Sequence, residues 1–205
     1  SLSSVNAMKE GGLLADNNLE LVVDEVFTPP LSDATSLIQQ LRARRPDLVF
    51  FLPTVISDSK LILEKMNEFN VRIPVISFGI AIAERDVLDT IDASLLQGVM
   101  SAVGNYAFKG HEDLITRMQE RYGEPWMNQN AISTYGDMWL FKQALEDAGK
   151  ADREAVAEAL RNMDAGESEY FPGGKLAFDD TGKREGAGMV IIQWQDGMPP
   201  TVFPE

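Results

Sequence analysis

The chain has 205 residues, enough for one large domain or two small ones enclosing a substantial core. Its 18 Lys+Arg against 32 Asp+Glu give a formal charge of −14, which is repelled by phosphate backbones and anionic lipid and argues against nucleic-acid or membrane-surface partners. No cysteine is present, which excludes disulfides, thiolate metal sites and cysteine nucleophiles within these residues. The longest apolar runs, 48–53 and 189–192, fall far short of the ~18 residues a spanning helix needs, so a soluble chain with no signal peptide at its start is expected.

Residues 1–17 read as an amphipathic helix, with Val5, Met8, Leu13 and Leu14 apolar among Asn6, Lys9, Glu10 and Asp16, weakened at Gly11-Gly12. Residues 19–27 (LELVVDEVF) are β-branched and apolar and predict a strand. After Thr28-Pro29-Pro30, Ser32-Asp33 opens a helix through Arg44 that Pro46-Asp47 ends. The continuous apolar run 48–52 has the pattern of a strand buried on both faces of a parallel sheet, and Ser57-Asp58 caps a helix to about Asn70. Residues 71–78 repeat the theme, followed by a short helix over 84–91 and a strand over 98–103. This β-α-β-α-β-α-β order predicts an α/β fold with half of a doubly wound, mostly parallel sheet.

After Gly104 the pattern holds helices over 112–122, 130–148 and 152–163 and no convincing strand. Asp152 with Glu154 suits a helix start, and Gly149 a helix end. Strand patterns return at 175–178 and 189–194, separated by the polar turn Asp179-Asp180-Thr181-Gly182 and followed by a turn at Asp196-Gly197; these strands read as antiparallel or edge-like.

Enzyme motifs fail one after another. There is no GxGxxG after a strand, no GxxxxGK[ST] and no G-x-S-x-G. The single His111 cannot build a multi-histidine metal site and reads as a surface loop residue near a helix start. A receiver-type phosphotransfer domain needs carboxylates at its strand ends for Mg²⁺, whereas Leu52-Pro53-Thr54 and Phe78-Gly79-Ile80 have none. Asp179-Asp180 reads as a turn and not as an acid/base pair. No catalytic residue, metal or cofactor is therefore expected. Ligands of open α/β sheets bind beyond the carboxyl ends of the strands. The candidates there are Thr54, Ser57 and Asp58, then Phe78, Gly79 and Ile80, then Asn105, Tyr106 and Phe108. Small polar groups, backbone N–H donors and apolar walls suit a reversible small-molecule site better than a catalytic one.

The C-terminal half carries a more specific pattern. It comprises Tyr135-Gly136-Asp137, the runs 143–149 (QALEDAG) and 152–156 (DREAV) with Ala159-Leu160, then 173–182 (GGKLAFDDTG) and 193–197 (QWQDG), closing on Val202-Phe203-Pro204. With Arg45-Pro46-Asp47-Leu48-Val49-Phe50 and Gln97-Gly98-Val99, this resembles the leucine/isoleucine/valine-binding type of periplasmic solute-binding protein over nearly the whole chain.

The resemblance implies two α/β lobes, a hinge that the chain crosses three times, a ligand held between the lobes, a periplasmic or other extracytoplasmic location and delivery to ABC permease subunits. It implies that 1–104 belong to the C-terminal lobe, 105–173 form a helical return to the N-terminal lobe, and 174–205 complete the hinge and C-terminal lobe. It also implies that most of the N-terminal lobe would precede Ser1, so pairing with that segment or self-association is expected. The family position that is aromatic in amino-acid binders corresponds to about Thr54, and the acid that holds the substrate ammonium to about Gly79; a further pocket position falls near Asn130. With both of the first two replaced, a ligand without an ammonium group is expected to meet Thr54, Ser57, Tyr106, Asn130 and the walls of Phe78 and Ile80 at lower cost. Two other classes compete: the effector-binding domain of a receptor or transcription regulator, and, ranked last, an enzyme on a flavodoxin-like sheet.

Overall fold

The computed structural model describes residues 2–79, 81–107, 110–167, 169–173 and 175–204. They form two units: Ser1–Ser101 with Gln193–Pro199, and Ala102–Ile192 with Pro200–Glu205. The architecture is α/β with a mixed, mostly parallel sheet, in line with the sequence.

In the first unit, α1 (Leu2–Glu10) and α2 (Leu13–Asp16) replace the single predicted helix, which splits at Gly11-Gly12, two residues that weaken a helix interior. Then follow α3 (Thr35–Arg44), β1 (Val49–Phe51), α4 (Ile56–Glu68), β2 (Val75–Phe78), a 3-10 helix (Arg85–Asp89), α5 (Ala93–Leu96) and β3 (Met100–Val103), whose last two residues are counted with the second unit. β1, β2 and β3 are neighbours in that order, and β1 pairs β2 in parallel with Val49 opposite Val75. β2 begins later than the sequence pattern suggests. Pro74 has no N–H to give a ladder, although its carbonyl accepts from the Val49 N–H at 2.9 Å.

Helix faces close over this sheet with Ile38 and Leu41 of α3, Ile62, Leu63 and Met66 of α4, and Val87 and Leu96, all buried. The returning segment adds Trp194, 1% exposed, whose backbone N–H donates to the Val99 carbonyl at 3.0 Å. Two expectations are corrected here. Residues 19–27 form no strand, because a strand exists only in a ladder: the Leu19 N–H closes back on the Leu14 carbonyl at 2.8 Å, and 20–27 have no backbone hydrogen bond to another described segment. β1 is not buried on both faces: Leu48 and Phe50 are partly open to solvent.

The second unit contains α6 (Glu112–Tyr122), α7 (Gln129–Ala148), α8 (Arg153–Arg161), β4 (Asp164–Glu167), β5 (Lys175–Ala177), β6 (Val190–Gln193), which carries the chain back at its last residue, and β7 (Thr201–Phe203). Local capping explains why these helices start and stop where they do. Asn128 accepts from the Ala131 N–H at 2.9 Å at the start of α7, and Asp152 from the Ala155 N–H at 3.0 Å at the start of α8. Gly149 closes α7 at φ 65, its N–H directed to the carbonyls of Leu145 and Glu146. β4 was not expected from the sequence; it pairs antiparallel with β5, Asp164 opposite Ala177. The two expected C-terminal strands are both in antiparallel pairs, but with partners the sequence did not suggest: β5 with β4, and β6 with β7.

Two apolar clusters hold this unit. One joins Ala107, Leu114, Met127 and Ile132; the other joins Ala144, Val156 and Met163 with Leu160, Leu176 and Phe178 packed against it. On the outer side of α7, Met138, Trp139 and Phe141 stay exposed, whereas Tyr135 and Leu145 pack against the clusters.

Candidate functional site

The parallel pairing of β1 and β2 brings two chain segments to one end of the first unit's sheet. Beyond β1, the chain runs through Leu52 and Pro53 to Thr54, which is exposed, and Val55 is extended before α4 begins. Ser57 is exposed in the first turn of α4. Neither it nor Asp58 caps the helix by side chain, in contrast to the expectation. Asp58 is instead fully buried, and its Oδ1 accepts from the Leu31 N–H at 2.8 Å, which ties the loop before α3 to the start of α4.

Beyond β2, Phe78 is 41% exposed and packs edge-to-face on Phe50 with ring centroids 6.4 Å apart. Gly79 follows at φ 105, a conformation that L side chains rarely adopt, and its carbonyl accepts from the Ser101 Oγ at 2.7 Å. Thr54, Ser57, Phe78 and Gly79 thus stand at the carboxyl ends of neighbouring parallel strands, where α4 also points its first-turn N–H groups. Ile80, the remaining residue predicted on this edge, lies outside the described residues, as does Phe108.

The other predicted residues belong to the second unit. Tyr106 is only 2% exposed, with its backbone N–H donating to the Asn105 Oδ1 at 2.9 Å. Asn105 in turn donates through Nδ2 to Ser133 Oγ at 3.1 Å and to the Tyr170 carbonyl at 2.9 Å. Asn130 is exposed at the second residue of α7, so Tyr106 and Asn130 do not share one open surface.

His111 is the clearest correction. It does precede a helix, but it is 3% exposed, stacked on Tyr170 at 5.9 Å, with Nε2 2.6 Å from the Glu169 carbonyl. Its polar sequence neighbours concealed a ring that packs inward. Tyr170 also meets Tyr135 edge-to-face at 5.2 Å, and desolvation raises its phenol pKa. Gly136 explains part of the Tyr135-Gly136-Asp137 pattern: a Cβ there would lie 2.8 Å from the Phe171 ring and from the Tyr170 Cβ.

The Asp179-Asp180 pair is a turn, as expected. The Asp179 Oδ1 accepts from Thr181 Oγ1 at 2.6 Å and from the N–H groups of Thr181 and Lys183, and these bonds, that to the Thr181 side chain foremost, hold its carboxyl below the usual range. Among the described residues there is no group of three or more His, Asp or Glu placed to hold a metal, and no helix is long and apolar enough to cross a membrane.

A sequence profile described as periplasmic binding protein matches residues 10–198. Among curated proteins, the Leu/Ile/Val-binding protein homolog 7 of Brucella suis biovar 1 (strain 1330) is 24% identical over 206 aligned positions, covering 97% of this chain and 51% of the relative. The chain therefore spans about half the length of the curated relatives it matches. Among solved structures, a protein from Silicibacter pomeroyi described as a candidate branched-chain amino acid ABC transporter superposes with a TM-score of 0.76 at 19% identity, over 97% of this chain and 54% of that one. An ABC transporter substrate-binding protein from Desulfitobacterium hafniense gives 0.69 at 19% identity, over 97% and 55%. At these identities the superpositions establish the fold, that of type I periplasmic binding proteins. With nearly all of its length matched by one family profile, the chain belongs to the periplasmic binding protein family.

Proposed function

We propose that the chain is part of an extracytoplasmic solute-binding protein of an ABC importer, and that the carboxyl ends of β1 and β2 form one wall of its ligand site. The observation that carries this reading is the family match over residues 10–198 together with the placement of Thr54, Ser57, Phe78 and Gly79 on one sheet edge. Two hydroxyls, backbone groups beside Gly79 and an aromatic wall bind reversibly, and none of them is a nucleophile with a base beside it. The protein acts as a carrier and not as an enzyme. Within the second unit, taken by itself, Asn130 presents an accessible amide and Tyr106 is buried.

The ligand is a small organic molecule whose recognition does not depend on an ammonium group. A substrate ammonium shielded from water needs a carboxylate, and the described strand-end residues offer none in the open: Asp58, the nearest in sequence, is fully buried, with Oδ1 accepting from the Leu31 N–H. Calorimetry of the polypeptide extended to its relatives' length, against free amino acids and the matched carboxylates lacking the amine, tests this. Binding of the deaminated carboxylates with comparable affinity is expected. Micromolar binding of leucine, isoleucine or valine that disappears without the amine contradicts it.

A further inference from the structure

We propose that the amino ends of β1 and β2 carry a docking groove for a short acidic segment of a partner protein, at the end of the first unit's sheet opposite Thr54 and Phe78. Two connections meet there. α3 leads through Arg45 and Pro46 to β1, and α4 leads through Asn70 and Arg72 to β2. Because β1 and β2 pair in parallel, both connections lie at the amino ends of their strands. Between them runs a groove of ≈ 520 Å³ lined by Arg42, Arg45 and Arg72, with Pro46, Val71 and Ile73 supplying apolar contacts.

In a chain of formal charge −14, Arg42, Arg44, Arg45 and Arg72 are all exposed, and among the described residues none of them has a carboxylate within ion-pair distance. Elsewhere cations are matched: Lys142 lies 2.7 Å from Glu146 and Lys175 3.3 Å from Glu185. Glu68, the acid nearest Arg72 in sequence, is already engaged by Lys65 at 2.6 Å. The dipole of α3 accounts for Arg42 and Arg44 in its last turn, but not for Arg45 beyond the helix or for Arg72 beyond α4. Arg45 stands at φ 50, where glycine or asparagine costs less. The guanidinium of Arg72 is held in place, Nε donating to Asn70 Oδ1 and Nη1 to Asn67 Oδ1, both at 3.2 Å, and that of Arg42 rests 5.8 Å from the Phe69 ring centre. Groups anchored in this way lose less freedom when they meet an acid.

Three like charges around one groove repel each other, and a ligand carrying carboxylates relieves that repulsion. A single small oxyanion fills little of the volume and leaves the apolar walls in water. A nucleic acid or an anionic membrane extends past the groove over a surface that is net negative. Beyond a Debye length of about 8–10 Å at physiological salt the rest of the chain is screened, so a short segment in the groove meets the arginines and little else. Acidic side chains on the guanidinium forks, with an apolar side chain against Pro46 and Ile73, match both parts of the lining. A partner seated here leaves Thr54, Ser57, Phe78 and Gly79 uncovered, so docking and solute binding are compatible.

The test titrates a panel of labelled peptides combining glutamate with leucine, valine or phenylalanine into Ser1–Glu205, with fluorescence anisotropy and backbone amide shifts as readouts. Saturable binding is expected, with shifts concentrated at Gln39, Arg42, Arg45 and Arg72 and an affinity that falls as salt is raised. Arg42→Gln/Arg45→Asn/Arg72→Gln should weaken it by on the order of tenfold and keep the circular dichroism spectrum of the parent. Arg45→Asn alone, which the φ of 50 accommodates, should weaken it severalfold. Lys142→Gln/Lys150→Gln, which removes two charges elsewhere, should bind as the parent does. No saturable binding by any of the peptides, equal binding by the triple variant, or equal binding of peptides with glutamine in place of glutamate overturns the proposal. So does displacement by inorganic phosphate at matched ionic strength, which assigns the groove to a small oxyanion, or preferential binding to vesicles with anionic headgroups, which assigns it to a membrane.

Discussion

The indole Nε1–H of Trp194 donates to the carbonyl of Ile82 at 2.8 Å, across 112 positions of sequence and inside the first unit's core. Its backbone N–H and C=O are also engaged, with Val99 and Gly98. One residue of the short return segment 193–199 thus fastens that segment by side chain and main chain together. Trp194→Phe keeps an aromatic ring but leaves the buried Ile82 carbonyl without its donor, which costs about 1–3 kcal/mol. Urea unfolding followed by far-UV circular dichroism should show a lower midpoint; an unchanged midpoint would mean the bond is not held in solution.

Gly136→Ala should disturb the second unit through its aromatic contacts. The added methyl falls 2.8 Å from the Phe171 ring and the Tyr170 Cβ, closer than real Cβ contacts. Overpacking of this kind costs about 1–3 kcal/mol. Phe171→Leu in the same chain should recover part of the loss. A thermal midpoint and near-UV spectrum equal to the parent would refute the tight packing of α7 against Tyr170-Phe171.

Acid should loosen the turn after β5. The Asp179 carboxyl is depressed in the fold by its bonds to Thr181 and Lys183, so its contribution is present above the ordinary carboxylate range and is lost as pH falls through and below it. Asp179→Asn should remove that part of the pH dependence below the ordinary range while retaining an acceptor for the turn. Titration curves of stability that coincide for parent and variant at acid pH would contradict this.

The exposed Met138, Trp139 and Phe141 on α7 should promote association at high concentration. Light scattering of the parent against Met138→Ser/Trp139→Ser/Phe141→Ser should show less association in the variant. Equal apparent masses across a concentration series would exclude this face.

What the sequence made legible followed from how local each determinant is. The bounds of α6, α7 and α8 depend on caps such as Asn128, Asp152 and Gly149, whose bonds reach only a few residues, and the expected helices coincide with them within a few positions. β1 and β2 were legible because a continuous apolar run bounded by Pro and polar residues has few other uses in an α/β chain. Residues 19–27 carry an equally good strand pattern and form none, since pairing is a property of neighbours and not of composition. The reverse holds for β4, where Asp164-Ala165-Gly166-Glu167 has no strand pattern and is extended because β5 lies beside it.

For the candidate site, topology placed Thr54, Ser57, Phe78 and Gly79 where strand order implied. The inward turn of His111 was hidden, because it depends on Glu169 and Tyr170, more than fifty positions away, and the burial of Tyr106 was hidden too. The Gly136 approach to Phe171 lies more than thirty positions distant in sequence, and only the recurrence of a Tyr-Gly-Asp pattern pointed to it.

The central claim is that the strand ends of the first unit hold a solute. Backbone amide chemical shifts of Ser1–Glu205, recorded while the best-binding compound of the carboxylate and amino-acid panel is titrated to high concentration, test it most directly. Saturable shifts concentrated at Thr54, Ser57, Phe78 and Gly79, and weakened in Thr54→Ala/Ser57→Ala, are the predicted result. Saturable shifts that leave these four residues unmoved, or that persist at full strength in the double variant, would contradict it.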